Sequence, residues 1–145
     1  MRWTNTDGVR LGGICENFET VEISSAQLLD LVANPVALLP APGPGKMIVA
    51  WVWQAVLNYV SSPYVIPSNQ FGVVYGGPNS VSAAFNPPVD VTVAASQAGF
   101  RISGSGVSDA LDEFENVPLL LVIDQDLTGG DSPITSSMAY TVCPV

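Results

Sequence analysis

The segment Lys46–Val60, KMIVAWVWQAVLNYV, is apolar on both sides of the strand it would form, and this constrains the fold more than any other feature. Strict alternation puts Met47, Val49, Trp51, Trp53, Ala55, Leu57 and Tyr59 on one side. Ile48, Ala50, Val52, Val56 and Val60 fall on the other, and only Lys46, Gln54 and Asn58 are polar. A strand with one solvated face alternates more cleanly than this. The expectation is a long strand with one side on the domain core and the other side covered by something else. A membrane span is the rival reading and fails, because Gln54 and Asn58 interrupt a run already far shorter than about 20 residues.

The chain entering this segment carries one helix signal. Ser24 and Gln27 have the spacing of a capping box, and Leu28, Leu29, Leu31 and Val32 follow as an apolar stripe. Asn34-Pro35 stops it, since the residue before proline is pushed out of the α region. One short helix is expected over Ser25–Ala33. Pro40-Ala41-Pro42-Gly43-Pro44-Gly45 then reads as a stiff surface turn.

The remaining segments are strand-like and short. Phe18–Ile23, Tyr64–Ile66, Phe71–Tyr75, Val89–Ala94, Phe100–Ile102, Leu119–Ile123 and Ser136–Val142 are separated by turns such as Gly76-Gly77-Pro78-Asn79 and Asn86-Pro87-Pro88. A single helical turn is plausible over Ser108–Phe114, from its serine cap and early acids. Many short strands with one convincing helix predict an all-β chain, a β-sandwich or jelly-roll-like fold. At 145 residues it reads as one domain over 18–145, preceded by an arm over 1–17. That arm shows neither helical nor strand period. Its Gly8, Gly12 and Gly13 let the backbone follow a foreign surface, while Arg2, Trp3, Arg10, Leu11 and Ile14 can contact a partner. A frayed terminus is the equally weighted alternative.

Charge excludes one class of partner. Four basic residues stand against thirteen acidic ones, a formal net charge of -9, so the chain would repel nucleic-acid phosphates. Only 12% of residues are charged while 48% are hydrophobic, which argues against disorder and for surface covered by a partner. Met1-Arg2 is not followed by an apolar leader, so synthesis in a reducing cytoplasm is expected, with Cys15 and Cys143 as free thiols rather than a disulfide.

The search for chemistry returns mostly structural readings. The chain has no histidine, which removes the commonest general base, the Ser-His-Asp constellation and most zinc sites. Gly43-Pro44-Gly45-Lys46 lacks the phosphate-loop spacing and has Met47 where the hydroxyl belongs. Asp124, Asp126 and Asp131 have ligand character, but Thr135 stands where an EF-hand needs its glutamate. A looser calcium site stays open there, behind the favoured reading of a solvated acidic hairpin loop with Gly129-Gly130 at positive φ. Asp112, Glu113 and Glu115 are too close in one turn to face each other across a glycoside. Trp51 and Trp53 read as core or interface ahead of a sugar-stacking platform. No metal, cofactor or catalytic residue is assigned, and an enzyme is not expected.

Two blocks carry a resemblance. SSAQLLDL with NPVALLPAPGPGKMIV (Ser24–Val49) and ENVPLLLVIDQDLTGGDSPITSSMAYTV (Glu115–Val142) resemble small structural proteins of tailed bacteriophages, in particular capsid decoration (cement) proteins. The resemblance implies a β-sandwich that trimerises on the outer surface of a phage head and locks capsomers together. The implied partners are the major capsid protein and the chain itself as a homotrimer, with neither nucleic acid nor membrane. The implied place is the virion, after synthesis in the host cytoplasm. The arm would grip the capsid, and Trp51, Trp53 and Tyr59 would lie at or next to the subunit contacts. A tail, baseplate or head-fibre module binding host or carbohydrate is the alternative.

Overall fold

Ser24 caps the helix as its spacing requires. Its hydroxyl accepts from Gln27 N at 3.3 Å, and Gln27 Oε1 accepts from Ser24 N at 3.0 Å. In the computed structural model the chain runs through β1 (Trp3–Thr4), β2 (Arg10–Leu11), β3 (Asn17–Ile23), α1 (Ser25–Leu29), β4 (Val36–Leu39) and β5 (Lys46–Leu57). It continues through β6 (Tyr64–Val65), β7 (Gly72–Gly76), β8 (Val81–Phe85), β9 (Ala98–Ser103), β10 (Leu119–Val122), β11 (Thr128–Gly129) and β12 (Ile134–Pro144). The structure describes residues 3–4, 10–11, 17–65, 72–76, 81–85, 94, 96–103 and 114–145.

The helix is shorter than the apolar stripe predicts. It stops at Leu29, and the next amides bond back only three residues, Asp30 N to Gln27 O at 3.3 Å and Leu31 N to Leu28 O at 3.4 Å. Asn34 Nδ2 donates to Asp30 Oδ2 at 2.6 Å, a local side-chain bond that favours a turn over another helical one. Residues 30–33 are therefore a turn, which ends before Pro35.

Two antiparallel four-stranded sheets hold most of the strand residues, in the orders β3-β12-β5-β9 and β4-β10-β7-β8. Their hydrogen-bonded pairs include β3 with β12, β4 with β10, β5 with β9 and β7 with β8. These pairs are nested, as if one long hairpin had been doubled over and wrapped. The chain consequently crosses between the sheets repeatedly instead of completing one before starting the other. The result is a mostly-β, sandwich-like fold of antiparallel sheets with one short helix.

Both sheets feed one apolar cluster. Trp53, Leu57, Ile134 and Met138 enter it from the first sheet, and Leu39, Val73, Phe85, Leu119 and Leu121 from the second. The Trp53 and Phe85 rings meet at 6.1 Å between centroids, and Tyr75 OH donates across to Ile48 O at 3.0 Å. Trp53 Nε1 donates to Ser136 Oγ at 2.9 Å, so the polar atoms of this buried pair serve each other. The Pro-Gly turn is anchored as well. Gly43 N donates to Asn116 Oδ1 at 2.9 Å and Gly45 N to Glu115 Oε1 at 2.6 Å. Gly43 and Gly45 sit at φ of 102° and 72°, where a β-carbon would be strained. Their amides are thus committed to the fold, and Glu115 is a turn anchor.

Other expectations shift. The strand expected at 89–94 lies outside the described residues except for Ala94, which is in no strand. The helical turn expected at 108–114 lies outside them except for Phe114, whose ring packs edge-on against Tyr75 at 4.9 Å. β8 has no counterpart in the sequence reading, because VSAAF is mostly small residues without a clear apolar period. Cys143 is a free thiol, and Cys15 is not among the described residues.

The indole–hydroxyl pair gives a direct check. Trp53→Phe leaves the buried Ser136 Oγ without its indole donor, at a cost of about 1–3 kcal/mol. Ser136→Ala in the same background should recover part of that loss. Urea denaturation of the single and double variants measures both, and additive losses would show that the pair is not coupled.

Candidate functional site

A β-bulge decides which face each tryptophan occupies. Along β5 and β12 the register runs Val52 opposite Ala139 and then Ala50 opposite Tyr140, so Trp51 is an extra residue with no partner. The bulge resets the alternation. Trp53, Ala55 and Leu57 are buried on one side of the bulge, and Met47 and Ile48 on the other. Trp51 is 37% exposed and Trp53 0%. The expectation that these two share one face is therefore corrected. Trp53 has no surface to offer a neighbouring molecule. Tyr59 is half-buried against the core, and its hydroxyl donates to Ser61 O at 2.7 Å.

Outside the core, the same sheet presents aligned rows. Phe18, Ala139 and Val52 are direct cross-strand neighbours on its outer face, an apolar row reaching the β3 edge, where Phe18 is 70% exposed. Trp51, the bulged residue just before Val52, adjoins this row in sequence. The next row is Thr20, Ser137, Gln54 and Arg101, with Thr20 Oγ1 and Ser137 Oγ 3.0 Å apart. Glu22, Thr135, Val56 and Gly99 form a third. The outer face of this sheet is thus mixed, with Phe18, Ala139 and Val52 as its aligned apolar row and Val56 apart from it in the third.

At the far end of β5 the acidic loop acts as a clamp. Asp131 Oδ1 accepts from Ser61 N at 3.1 Å and Ser62 N at 3.0 Å, and its other oxygen accepts from Ser61 Oγ. Ser132 Oγ accepts from Val60 N at 2.9 Å, and Asn58 N donates to Pro133 O at 2.9 Å. Tyr64 OH donates to Ser132 O at 2.7 Å. A β-carbon on Gly130 would lie 2.2 Å from the Tyr64 ring, and its φ of 76° already disfavours a side chain. Gly129 and Gly130 do adopt the expected positive φ, but the expected hairpin is corrected: β10 and β12 belong to different sheets, and Thr128–Gly129 pairs instead with Tyr64–Val65. This network fixes a loop on which Val60 and Val65 are each 62% exposed.

The electrostatics follow from those bonds. The Ser61 hydroxyl, then the Ser62 and Ser61 amides, hold the Asp131 carboxyl down to about 2. Burial, and then the Asp131 charge, push the Tyr64 phenol up, and burial does the same to Tyr75. Both phenols therefore serve as neutral hydrogen-bond donors. Asp131 spends its acceptor capacity on the loop, while Asp124 and Asp126 are exposed. Among the described residues, no group of three histidine, cysteine, aspartate or glutamate side chains could hold a metal ion. No helix among them is long and apolar enough to cross a membrane.

The arm residues divide. Trp3 pairs with Leu11 and Thr4 with Arg10 in a two-stranded antiparallel ribbon, a local pairing the irregular sequence does not announce. Arg2 and Ile14 lie outside the described residues, as do Asp112 and Glu113. The two signals that sequence reasoning missed are the bulge at Trp51 and the Phe18–Ala139–Val52 row, both of which depend on register. Comparison with protein-family models, curated proteins and solved structures found no match.

The clamp predicts an acid-sensitive fold. The Asp131 carboxyl sits at about 2 against an ordinary 3.8, so its contribution is complete above the ordinary value and is lost as pH falls toward the folded one. Asp131→Asn should lower the urea midpoint at neutral pH and converge with the parent protein near pH 2. Parallel curves across this range would show that the clamp carries no linked stability.

Proposed function

We propose that this chain is a structural binding module, a capsid decoration protein that sits on the outer surface of a phage head as a homotrimer. The observation that carries the reading is the exposed apolar row Phe18–Ala139–Val52 with Trp51 beside it, flanked on the same sheet face by the polar row Thr20, Ser137, Gln54 and Arg101. An apolar patch rimmed by polar residues marks a surface that another protein covers. The acidic remainder of the surface, on a chain of net charge -9, keeps decorated particles apart in solution.

The strand order supports a jelly-roll as the finer description of the fold. Counting only the eight strands of the two large sheets in chain order, one sheet holds the first, eighth, third and sixth, and the other the second, seventh, fourth and fifth. That is the order produced by rolling up a single nested hairpin. The resemblance of Ser24–Val49 and Glu115–Val142 to decoration proteins supports the place of action, which is the major capsid protein of the head. The clamped Val60–Val65 loop supports a binding role too, since a loop ordered beforehand loses little entropy on contact.

Within this reading the sheet face bearing Phe18, Val52 and Trp51 lies on the capsid protein. The arm, with Arg2, Trp3, Arg10, Leu11 and Ile14, extends that contact.

The test is binding to phage heads stripped of their decoration. The parent protein should saturate them. Phe18→Asp and removal of residues 1–14 should each weaken occupancy by about tenfold or more, equivalent to roughly 1.4 kcal/mol. Absence of binding by the parent protein at saturating concentration rejects the capsid assignment. Equal occupancy for all three proteins rejects the face and the arm as the contact.

A further inference from the structure

The first sheet ends in two edges of opposite charge character. Among the described residues β3 pairs only with β12, and β9 only with β5, so each leaves one side of its backbone ladder to another strand. β3 carries Glu19 and Glu22 and no base. β9 carries Arg101 and no acid, and Arg101 is exposed, one of only four basic residues in the chain. The register fixes where these charges stand. Arg101 lies opposite Gln54 on the outer face, and Glu22 lies on that same face opposite Thr135. Glu19 belongs to the opposite face, across from Met138.

We propose that β3 of one copy adds to β9 of a second copy, with Arg101 opposite Glu22 and the two sheets continuing as one. Alternation of direction across β3-β12-β5-β9 makes β3 and β9 antiparallel, so head-to-tail addition keeps the ladder antiparallel. Pairing of β3 with a second β3 is disfavoured, because it would gather Glu19 and Glu22 from both copies along one ribbon. Pairing of β9 with β9 would bring two Arg101 side chains together. Complementary charges therefore select the heterologous contact, and a heterologous contact makes a ring when its rotation closes. The proposal rests on the self-association in the reading above and specifies the edges that make it.

Sedimentation velocity at micromolar concentration, on the full chain, tests the contact. The parent protein should sediment as a closed oligomer. Arg101→Glu and Glu22→Arg should each raise its dissociation constant by about tenfold or more, since like charges then face across the new ladder. The double swap, Glu22→Arg with Arg101→Glu, should restore assembly. Paired Glu22→Cys and Arg101→Cys should give chains cross-linked between copies under mild oxidation. Circular dichroism and thermal melting of each variant establish that the fold is intact.

A monomeric parent protein overturns the proposal. So do single variants that assemble like the parent, or a double swap as defective as the singles with an unchanged melt. Head occupancy measured on the same samples separates the two readings. Assembly through these edges without head binding rejects the capsid assignment and leaves the contact standing. Head binding by a parent protein whose assembly ignores both charges rejects the contact alone.

Discussion

Strand β12 is the constraint on which the architecture depends. The last strand of the chain lies between β3 and β5, so the first sheet has no continuous hydrogen-bond ladder until residues 134–144 are in place. Met138 and Trp53 are cross-strand neighbours, and Ser136 next to them receives the indole proton. The centre of the core is thus assembled from segments more than 80 positions apart in sequence. Nested long-range pairing of this kind forms late and slowly, because loop closure must precede any gain from contact. Few alternative partners exist for a strand that must satisfy two neighbours and a buried indole at once.

The chain invests its polar groups in holding loops. Asp131, Ser132 and Asn58 tie the exit of β5 to the entry of β12, while Glu115 and Asn116 tie down the Pro-Gly turn before β5. Both ends of the longest strand are therefore fixed by side chains from distant segments. The exposed valines at 60 and 65 and the bulged Trp51 are presented by a frame with little freedom left to lose on binding. Asp131 and Glu115 are the carboxylates among these groups. Their hydrogen bonds are already taken by backbone amides and hydroxyls.

The proposed binding role draws on this distribution of groups. The chain has no histidine, and the buried Tyr64 and Tyr75 phenols are held neutral as donors to backbone carbonyls. What the surface offers is an apolar row on one sheet face and two edges of unlike charge. In the proposed reading these are the features that meet other proteins, through area, register and charge.

The sequence by itself determined the local elements. The Ser24–Gln27 box starts a helix, Pro35 ends the turn after it, and the runs at 46–57, 119–122 and 134–144 become strands, because capping, ring constraint and apolar period act within a few residues. The mostly-β class, the Pro-Gly turn and the positive φ of Gly129 and Gly130 were legible for the same reason, whereas the loop they sit in joins two different sheets and is not a hairpin. Which face each residue takes was not. Simple alternation puts Trp51 and Trp53 together, and only the pairing with β12 reveals the extra residue that separates them. Asp131 likewise resembles a ligand in sequence, and only folding brings Ser61 and Ser62 to its oxygens. Phe18, Ala139 and Val52 become one patch through register across three strands. Local chemistry decides what an element is, whereas register between distant strands decides which side chains it shows to a partner.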